Sequence, residues 1–494
     1  MPLVEVEFTK KPVHEKRCWF TIEFLVYYAV ILGVFFFALK DLWTVCQPEH
    51  PNYPFYAKKL AKGWLGRPLD VSDAQWRSFR SNAPGLTVGL LSYLVLAFLT
   101  EQRLILSLVF LAALHGLNAL KVLVICTTFY LVSLLPSYWN PLFTWSFAVA
   151  VLILKEFDAM KVPYFEGLYP RWNVIFNMCV LRLISFNMDR YFRKDVHEGC
   201  DRCFSGRNCT RKDIVTPTEY SFVSFLNYIL YPPLYIAGPI ITYNAFMNQK
   251  RRWDRRELLV YFCRLAFAFL CIEVLLHCFW VVAIKDTQVF DGLSSISLLA
   301  IAYLNLKVIW LKLLVIWRFF RFSAVLDGLH PPENMLRCMS NNYSVLAFWR
   351  SWHASYNAWI VRYLYVPLGG DKNLIWSMWV VFTWVALWHD LEWKLFAWAW
   401  LVCLFIAPEV LARRYLGHLG GNRFWVGIGG TFNVLMLMCA NLVGFALGLK
   451  GTKELLRRMQ TLDVLLFLVA AFSAVQLMME WRAEERRHGI TLKY

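Results

Sequence analysis

The chain has 494 residues, of which 59% are hydrophobic and 17% are charged. A soluble globular domain has about 45–50% apolar and about 25% charged residues, so this composition excludes an ordinary soluble protein and predicts a membrane protein. The formal net charge is +17, but the basic residues crowd short connections where anionic headgroups attract them, and no basic face interleaved with aromatic residues indicates nucleic-acid binding.

Apolar runs long enough to cross a bilayer, or nearly so, recur along the whole chain. A spanning helix needs about 20 apolar residues, so we predict an all-α polytopic membrane protein with about 11 to 13 transmembrane or re-entrant helices. The predicted runs are 19–39, 85–100, 103–135 (one long or two short), 139–155, 172–188, 221–245, 258–284, 294–317, 372–389, 394–412, 424–449 and 461–480. Because no internal repeat or flexible linker divides them, we predict one membrane-embedded domain over residues 1–494.

Three polar segments are predicted to lie outside the membrane, namely residues 41–83, 190–220 and 481–494. The N-terminal tail and the first of these segments are both basic, so the charge distribution leaves the orientation open, and we favour a cytosolic N-terminus. The first apolar run follows a polar stretch that lacks a small-residue cleavage site, which predicts a signal-anchor.

The second polar segment contains one histidine and three cysteines, His197, Cys200, Cys203 and Cys209. A C-x2-C pair with a further cysteine and a histidine is one way to hold zinc, but the second C-x2-C half of a usual zinc site is missing. A disulfide, acylated cysteines or unmodified loop cysteines fit the spacing as well, so we predict no metal site.

Two segments break the simple pattern of apolar spans. In residues 225–244, Pro232–Pro233 and Gly238–Pro239 remove backbone donors and interrupt the helix. Broken backbone at membrane depth survives only where protein or a water cavity satisfies it, so we predict a re-entrant or kinked element that lines a cavity. Residues 348–370 are too polar to face lipid, and we predict an amphipathic helix lining a polar tunnel or lying at an interface.

Two histidines lie in stretches that are otherwise almost uncharged. His353 is inside FWRSWHASYNAWIVRYLYVPLGG, and His389 ends the apolar run before Asp390. An ionisable group at membrane depth is costly, which favours a functional role, and a neutral imidazole can take a proton from an attacking alcohol or amine. The alternatives are a packed histidine bonded to a carbonyl for His389 and a solvated helix face for His353.

Basic side chains near His353 are candidates for binding an anionic donor. On an ideal helix Arg350, His353 and Asn357 share one face, which would present donors to a carbonyl or thioester oxygen. Several basic residues in or beside apolar segments are suited to the phosphates of a coenzyme A thioester: Lys312, Arg318, Arg321, Arg350 and Arg362. For any single one of them, an anchor that reaches toward the headgroups is the alternative interpretation.

The block around His353 and the VALWHD block around His389 resemble the membrane-bound O-acyltransferase superfamily, whose signature has two histidines. The sequence is more similar to the eukaryotic glycerol-uptake-protein subfamily in several further blocks, which include SDAQWRSFR, FNMCVLRLISFNMD, YILYPPLYIAGPIITYNAF and LDGLHPPENMLRCMSNNYS. Hedgehog acyltransferases, which are related, typically have Asp at the position of His353. Asp390 is typical of the glycerol-uptake branch.

This resemblance implies a multi-pass enzyme of the endoplasmic reticulum membrane, with about 11 membrane segments around a central tunnel. Fungal and protozoan relatives use acyl-CoA to re-acylate the lyso-phosphatidylinositol part of glycosylphosphatidylinositol (GPI) anchors. A vertebrate branch thought inactive lacks the second histidine, whereas this chain keeps both. Cys338 is similar to a cysteine that ligates haem iron in hedgehog acyltransferase, so haem is a further candidate cofactor.

We therefore expect an acyl-CoA-dependent O-acyltransferase that acts on a lyso-GPI anchor or another lipid acceptor. His389 would be the general base, and His353 would position the thioester or stabilise the oxyanion, helped by Asn357 and Arg350. Three alternatives stay open: acylation of another protein or of a polyol, a glycerol/proton symporter, and an inactive scaffold. The absence of an obvious inverted repeat of broken helices weakens the symporter interpretation.

Overall fold

The computed structural model describes residues 6–8, 17–136, 138–155, 167–168, 172–197, 216–249, 251–389 and 391–492. Within these ranges the protein is almost wholly helical, as predicted. Its α-helices in chain order are α1 (Ile22–Val45), α2 (Tyr53–Ala57), α3 (Ala74–Thr100), α4 (Arg103–His115), α5 (Asn118–Ser133), α6 (Trp139–Leu154), α7 (Trp172–His197), α8 (Phe222–Ile229), α9 (Pro232–Tyr235), α10 (Tyr243–Asn248), α11 (Arg255–Cys278), α12 (Val281–Thr287), α13 (Ser295–Leu326), α14 (Val345–Ser351), α15 (Ala354–Ile360), α16 (Leu374–His389), α17 (Trp393–Tyr415), α18 (Arg423–Asn441), α19 (Gly448–Arg458) and α20 (Thr461–Arg487). The strands of the described part form two short antiparallel pairs, β1 (Val6–Phe8) with β4 (Ile490–Leu492) and β2 (Leu60–Ala61) with β3 (Leu69–Asp70).

Seven helices of the described part are long and apolar enough to cross a membrane: α1, α3, α11, α13, α17, α18 and α20. Helices α4, α5 and α6 are shorter and apolar. The predicted run 103–135 therefore consists of two short helices. Helix α4 ends at its C-cap Gly116, whose φ of 56° is readily adopted by glycine.

The connection after α1 is shorter than the polar segment predicted for 41–83, because α1 continues to Val45 and α3 begins at Ala74. Asp70 anchors this connection: its buried carboxylate accepts hydrogen bonds of 2.9 Å from the backbone N–H groups of Val282 and Ala283. The first N–H groups of a helix have no partner within it, so Asp70 satisfies donors in the first turn of α12.

The other two predicted polar segments, 190–220 and 481–494, also begin later than predicted, because helices continue into them. Helix α7 extends to His197 and helix α20 to Arg487, and ion pairs such as Arg487 with Glu480 continue the latter beyond its apolar part. Cys200, Cys203 and Cys209 lie outside the described residues.

Residues 225–244 form a broken element, as the prolines predict, made of α8, α9 and α10. The buried guanidinium of Arg182 donates to the carbonyls of Ile229 and Leu234, which lie on either side of the first break. Downstream, the Ile240 N–H donates to Ser355 Oγ at 2.9 Å. Protein groups thus satisfy the backbone that the breaks release.

The prediction of one amphipathic helix over 348–370 is wrong. Helix α14 ends at Ser351 and α15 begins at Ala354, and His353 between them has the left-handed backbone φ 46°, ψ 51°. At the break, residues 334–336 pair with the backbone groups that a continuous helix would use. Asn334 O accepts from Ala354 N at 2.9 Å, and Leu336 N donates to Ser351 O at 3.2 Å.

Helix α7 carries a row of buried polar groups at intervals of four residues, which places them on one face. The row contains Asn177, the Leu181 carbonyl, Ser185 and Asp189. At its end, Asp189 pairs with Arg362 at 2.7 Å and also accepts from the Tyr363 hydroxyl and the Asn244 N–H. The row connects α7 to the segments that follow His353 and to the end of α16.

We predict that D189A lowers the free energy of unfolding by about 3–5 kcal/mol, because it leaves the Arg362 guanidinium without its anionic partner. SDS-induced unfolding of the purified protein in lipid micelles would measure the change. The control is R457A, which removes the exposed partner of Glu454 on α19 and should change stability little. Equal effects of the two substitutions would contradict the structural importance of Asp189.

Candidate functional site

A cavity of about 2310 Å³ lies among the helices, and both His353 and His389 line it. Pockets for small ligands are commonly about 300–1,000 Å³, so this cavity has room for a long or branched substrate. Its walls include parts of α1, α3, α13, α14 to α18 and α20. Ile236 and Ala237 of the broken segment also line it, which confirms that this segment borders a cavity.

His353 is held in an unusual backbone conformation at the cavity wall. A residue other than glycine in the left-handed region costs about 1–3 kcal/mol, and such residues cluster at functional sites. The imidazole stacks on Trp317, with ring centroids 4.4 Å apart and planes at 23°. Only 8% of the residue is exposed, and Nε2 has no hydrogen-bond partner among the described residues. A buried unpaired ring nitrogen is a group that a substrate can satisfy.

His389 is the last residue of α16, and it reaches the same cavity from another element. The His389 side chain lies within the protein, with protein atoms around it. It is nevertheless accessible to solvent, because it faces the cavity. The indole of Trp388 contacts both histidine rings, with centroid distances of 4.6 Å to His389 and 6.1 Å to His353. The Tyr356 ring packs against the same indole, with centroids 4.5 Å apart and planes tilted by 37°. Asp390 lies outside the described residues.

The end of α16 is attached to α7 by a reciprocal pair of contacts. The Asn177 side-chain amide donates to the carbonyl of Trp388 at 2.9 Å, and the Trp388 indole N–H donates to the Asn177 carbonyl at 2.8 Å. Asn177 also lines the cavity. These contacts fix the turn that carries His389.

Arg350 and Asn357 line the cavity with His353, although the continuous helix face predicted for the three residues does not exist. The break at His353 brings them to the cavity from two short helices. Arg350 is exposed, and no carboxylate in the described part of the chain lies within ion-pairing distance of it. A guanidinium in this situation is available to an anionic ligand.

The other basic residues predicted to bind the donor are ion-paired and do not line the cavity. Arg362 pairs with Asp189 at 2.7 Å, and Arg318 pairs with Glu333 at 3.0 Å. Arg321 shares Glu333, while Lys312 pairs with Asp73 at 2.6 Å. Their charges are therefore used within the protein, and we assign them no contact with a donor.

Cys338, the candidate haem ligand, is exposed, and Nζ of Lys307 lies 3.3 Å from its sulfur. An exposed thiol beside an ammonium group lacks the apolar enclosure of a haem site, so the residues around Cys338 do not fit haem. No group of three or more His, Cys, Asp or Glu side chains in the described ranges is arranged to hold a metal ion.

The sequence alone gave no role to four residues that build the site: Asn177, Trp317, Tyr356 and Trp388. Tyr356 follows His353 by three residues, so helical spacing was an available signal for it. Trp317 and Asn177 belong to distant helices, and only the folded chain brings them to the histidines.

Residues 169–479 match the model of MBOAT, the membrane-bound O-acyltransferase family. The chain is 36% identical over 540 aligned residues to the membrane-bound O-acyltransferase GUP1 of Saccharomyces cerevisiae, covering 100% of this chain and 96% of the relative. It is 37% identical to gup1 of Schizosaccharomyces pombe, covering 98% and 92%. A more distant relative is the mouse protein-cysteine N-palmitoyltransferase HHAT, 27% identical over 43% of this chain and 46% of the relative.

The family match spans the segments that carry α7, His353 and His389, and the two yeast relatives align with nearly the full chain. Both named yeast relatives are membrane-bound O-acyltransferases. A multi-pass helical protein with two histidines at one large cavity agrees with that chemistry. The chain belongs to the membrane-bound O-acyltransferase family and is an acyltransferase enzyme.

Proposed function

We propose that this protein transfers a fatty acyl chain from acyl-CoA to the lyso-phosphatidylinositol part of GPI anchors in the endoplasmic reticulum membrane. The observation that carries the proposal is the convergence of His353 and His389 on one cavity, with the Trp388 indole touching both rings. The near full-length similarity to yeast acyltransferases supports the reaction class. The lyso-GPI acceptor, the acyl-CoA donor and the location follow from the resemblance of the sequence blocks to the glycerol-uptake-protein subfamily.

In the proposed reaction, His389 takes the proton of the acceptor hydroxyl while that oxygen attacks the thioester carbonyl carbon. A carbon–oxygen bond forms and the carbon–sulfur bond breaks. The proton passes from the imidazolium to the departing thiolate, so the products are the acylated lipid and the free thiol of coenzyme A. His353 positions the thioester or stabilises the developing oxyanion, with Asn357 on the same cavity wall.

Two parts of the donor are recognised differently in this proposal: the phosphates by a charged side chain, and the acyl chain by the apolar walls of the cavity. Arg350 is the basic side chain that we assign to the phosphates of coenzyme A, because it reaches the cavity without a carboxylate partner among the described residues. The acyl chain gains roughly 0.8 kcal/mol for each CH₂ that the apolar walls bury. The length of the apolar part of the cavity, rather than the histidines, therefore selects the acyl chain.

We predict that H389A lowers kcat by roughly 10²- to 10⁴-fold, which is the usual contribution of a general base. Transfer of a radiolabelled acyl group from acyl-CoA to lyso-GPI lipid by the purified protein would measure it. The matched control is H277A, which removes another buried histidine, bonded to the Trp64 N–H and outside the cavity lining. Undiminished transfer by folded H389A would refute the proposed base.

We predict that R350A raises the KM for acyl-CoA at least tenfold with a small change in kcat, because a charge contact to the phosphates stabilises ground state and transition state alike. The control is chemical: a donor with the same acyl chain on pantetheine lacks the nucleotide phosphates. The wild-type enzyme and R350A should have equal KM values for that donor. A KM for acyl-CoA that R350A leaves unchanged would remove Arg350 from the donor site.

The acceptor is tested in cells that lack this protein. We expect lyso-GPI anchors to accumulate, as measured by mass spectrometry of lipids released from GPI-anchored proteins, and wild-type protein but not H389A to restore the acylated anchors. Normal anchors in the deleted cells, together with transfer by the purified enzyme to a protein or polyol, would show that the acceptor is a different one.

A further inference from the structure

We propose that Asn177 of α7 is a positioning residue for the His389 imidazole. This inference rests on the proposed role of His389 as the base. Asn177 does not touch the reacting atoms in this proposal. It acts by capping the end of α16, so that the last residue of that helix keeps one orientation in the cavity.

The contacts define the orientation of the Asn177 amide. Nδ2 lies 2.9 Å from the Trp388 carbonyl and 3.4 Å from the His389 carbonyl. Because carbonyl oxygens can only accept hydrogen bonds, the nitrogen and not the oxygen of the amide must face them. Oδ1 is buried and has no partner among the described residues. The side chain thus serves as a double donor to two consecutive carbonyls.

Those two carbonyls are at the place where a helix needs such a donor. The last four carbonyl groups of an α-helix lack partners within the helix, and helix ends fray when nothing replaces them. Trp388 and His389 are the last two residues of α16. Asn177 satisfies their carbonyls from α7, whose own neighbourhood is almost wholly buried.

The cavity makes this cap important for the orientation of His389. One side of the last turn of α16 faces the cavity rather than packed side chains, since His389 itself is accessible there. The opposite attachment consists of Asn177 and the Trp388 indole, which donates to the Asn177 backbone carbonyl. Loss of the amide would leave the indole contact in place and free the two terminal carbonyls. A misplacement of about 1 Å at a reacting group can reduce the rate by roughly 10²-fold.

Asn187 on the same helix provides a matched control. It is fully buried, and its Nδ2 donates to the Phe129 carbonyl and to Thr144 Oγ1, each at 3.0 Å. Its Oδ1 also has no partner within the described ranges. It does not line the cavity. Asn177 and Asn187 therefore have equivalent buried amides, and only the first is attached to the turn that carries His389.

The test compares N177A and N187A in purified protein, with kcat and KM for acyl-CoA and the melting temperature of each. We expect both variants to melt at a lower temperature to a similar extent. N177A should lose roughly 10²-fold in kcat with little change in KM, whereas N187A should keep the wild-type kcat. Equal kcat values for the two variants would overturn the inference.

A double-mutant cycle shows whether Asn177 acts through His389. If it does, N177A/H389A should be no slower than H389A alone, because a residue that only positions the base has nothing left to position. A further loss in the double variant, equal to the loss caused by N177A in the wild type, would overturn the inference. If H389A keeps full activity, both the proposed function of His389 and this inference are wrong. If H389A is inactive but N177A is fully active, only this inference is wrong.

The pH dependence of the N177D rate is a further test, because a purely structural role of Asn177 would not change it. The ionised carboxylate would place oxygen atoms against two carbonyls, while the protonated carboxyl can donate to one of them. We therefore expect the ratio of the N177D rate to the wild-type rate to rise as the pH falls, and the corresponding ratio for N187D to stay flat. Parallel pH profiles for N177D and N187D would count against the positioning role.

Discussion

The polar groups that α7 carries into the protein interior set the geometry of the site. A buried polar side chain without a partner costs roughly 1–3 kcal/mol, so Asn177, Ser185 and Asp189 each require a partner beyond the helix ladder. Asn177 contacts the end of α16, the Leu181 carbonyl accepts from the Trp359 indole, and Ser185 and Asp189 contact Tyr363. The hydrogen bonds made by these polar groups of α7 therefore determine where α16 and the segment after His353 lie.

The conformation of His353 depends on a second set of polar contacts. The left-handed backbone costs about 1–3 kcal/mol, and a continuous helix through 348–370 would avoid that cost. Segment 334–336 offsets it with hydrogen bonds to Ser351 O, Ala354 N and Ser355 N, each contributing roughly 0.5–1.5 kcal/mol. The His353 ring at this break stacks on Trp317, and Arg350 of α14 and Asn357 of α15 line the cavity on either side of it in the chain. His353 is therefore the residue at which the backbone is strained, the hydrogen bonds of segment 334–336 offset that strain, and the side chain reaches the cavity.

The basic side chains predicted to bind the donor differ in whether a carboxylate pairs with them. Arg318, Arg362 and Lys312 have carboxylate partners between 2.6 and 3.0 Å away, so their charges are compensated within the protein. Arg350 has no such partner in the described part of the chain and faces the cavity. Because Arg350 is exposed, its guanidinium is accessible to an anionic ligand at the cavity. The proposed donor site follows from this asymmetry rather than from the number of basic residues.

The sequence by itself determined the helical architecture, the break at the prolines of 225–244 and the two histidines, because apolar run length, proline chemistry and the cost of a buried ionisable group are local properties. Only the tertiary structure decided that Arg350 lines the cavity while Arg318 and Arg362 are ion-paired away from it, where the helix at His353 breaks and how Asn177 contacts the end of α16. Arg362 meets Asp189 across 173 residues, and Asn177 meets Trp388 across 211. Partners so distant in the chain leave no periodicity or spacing in the sequence, since the contact exists only after the helices have packed.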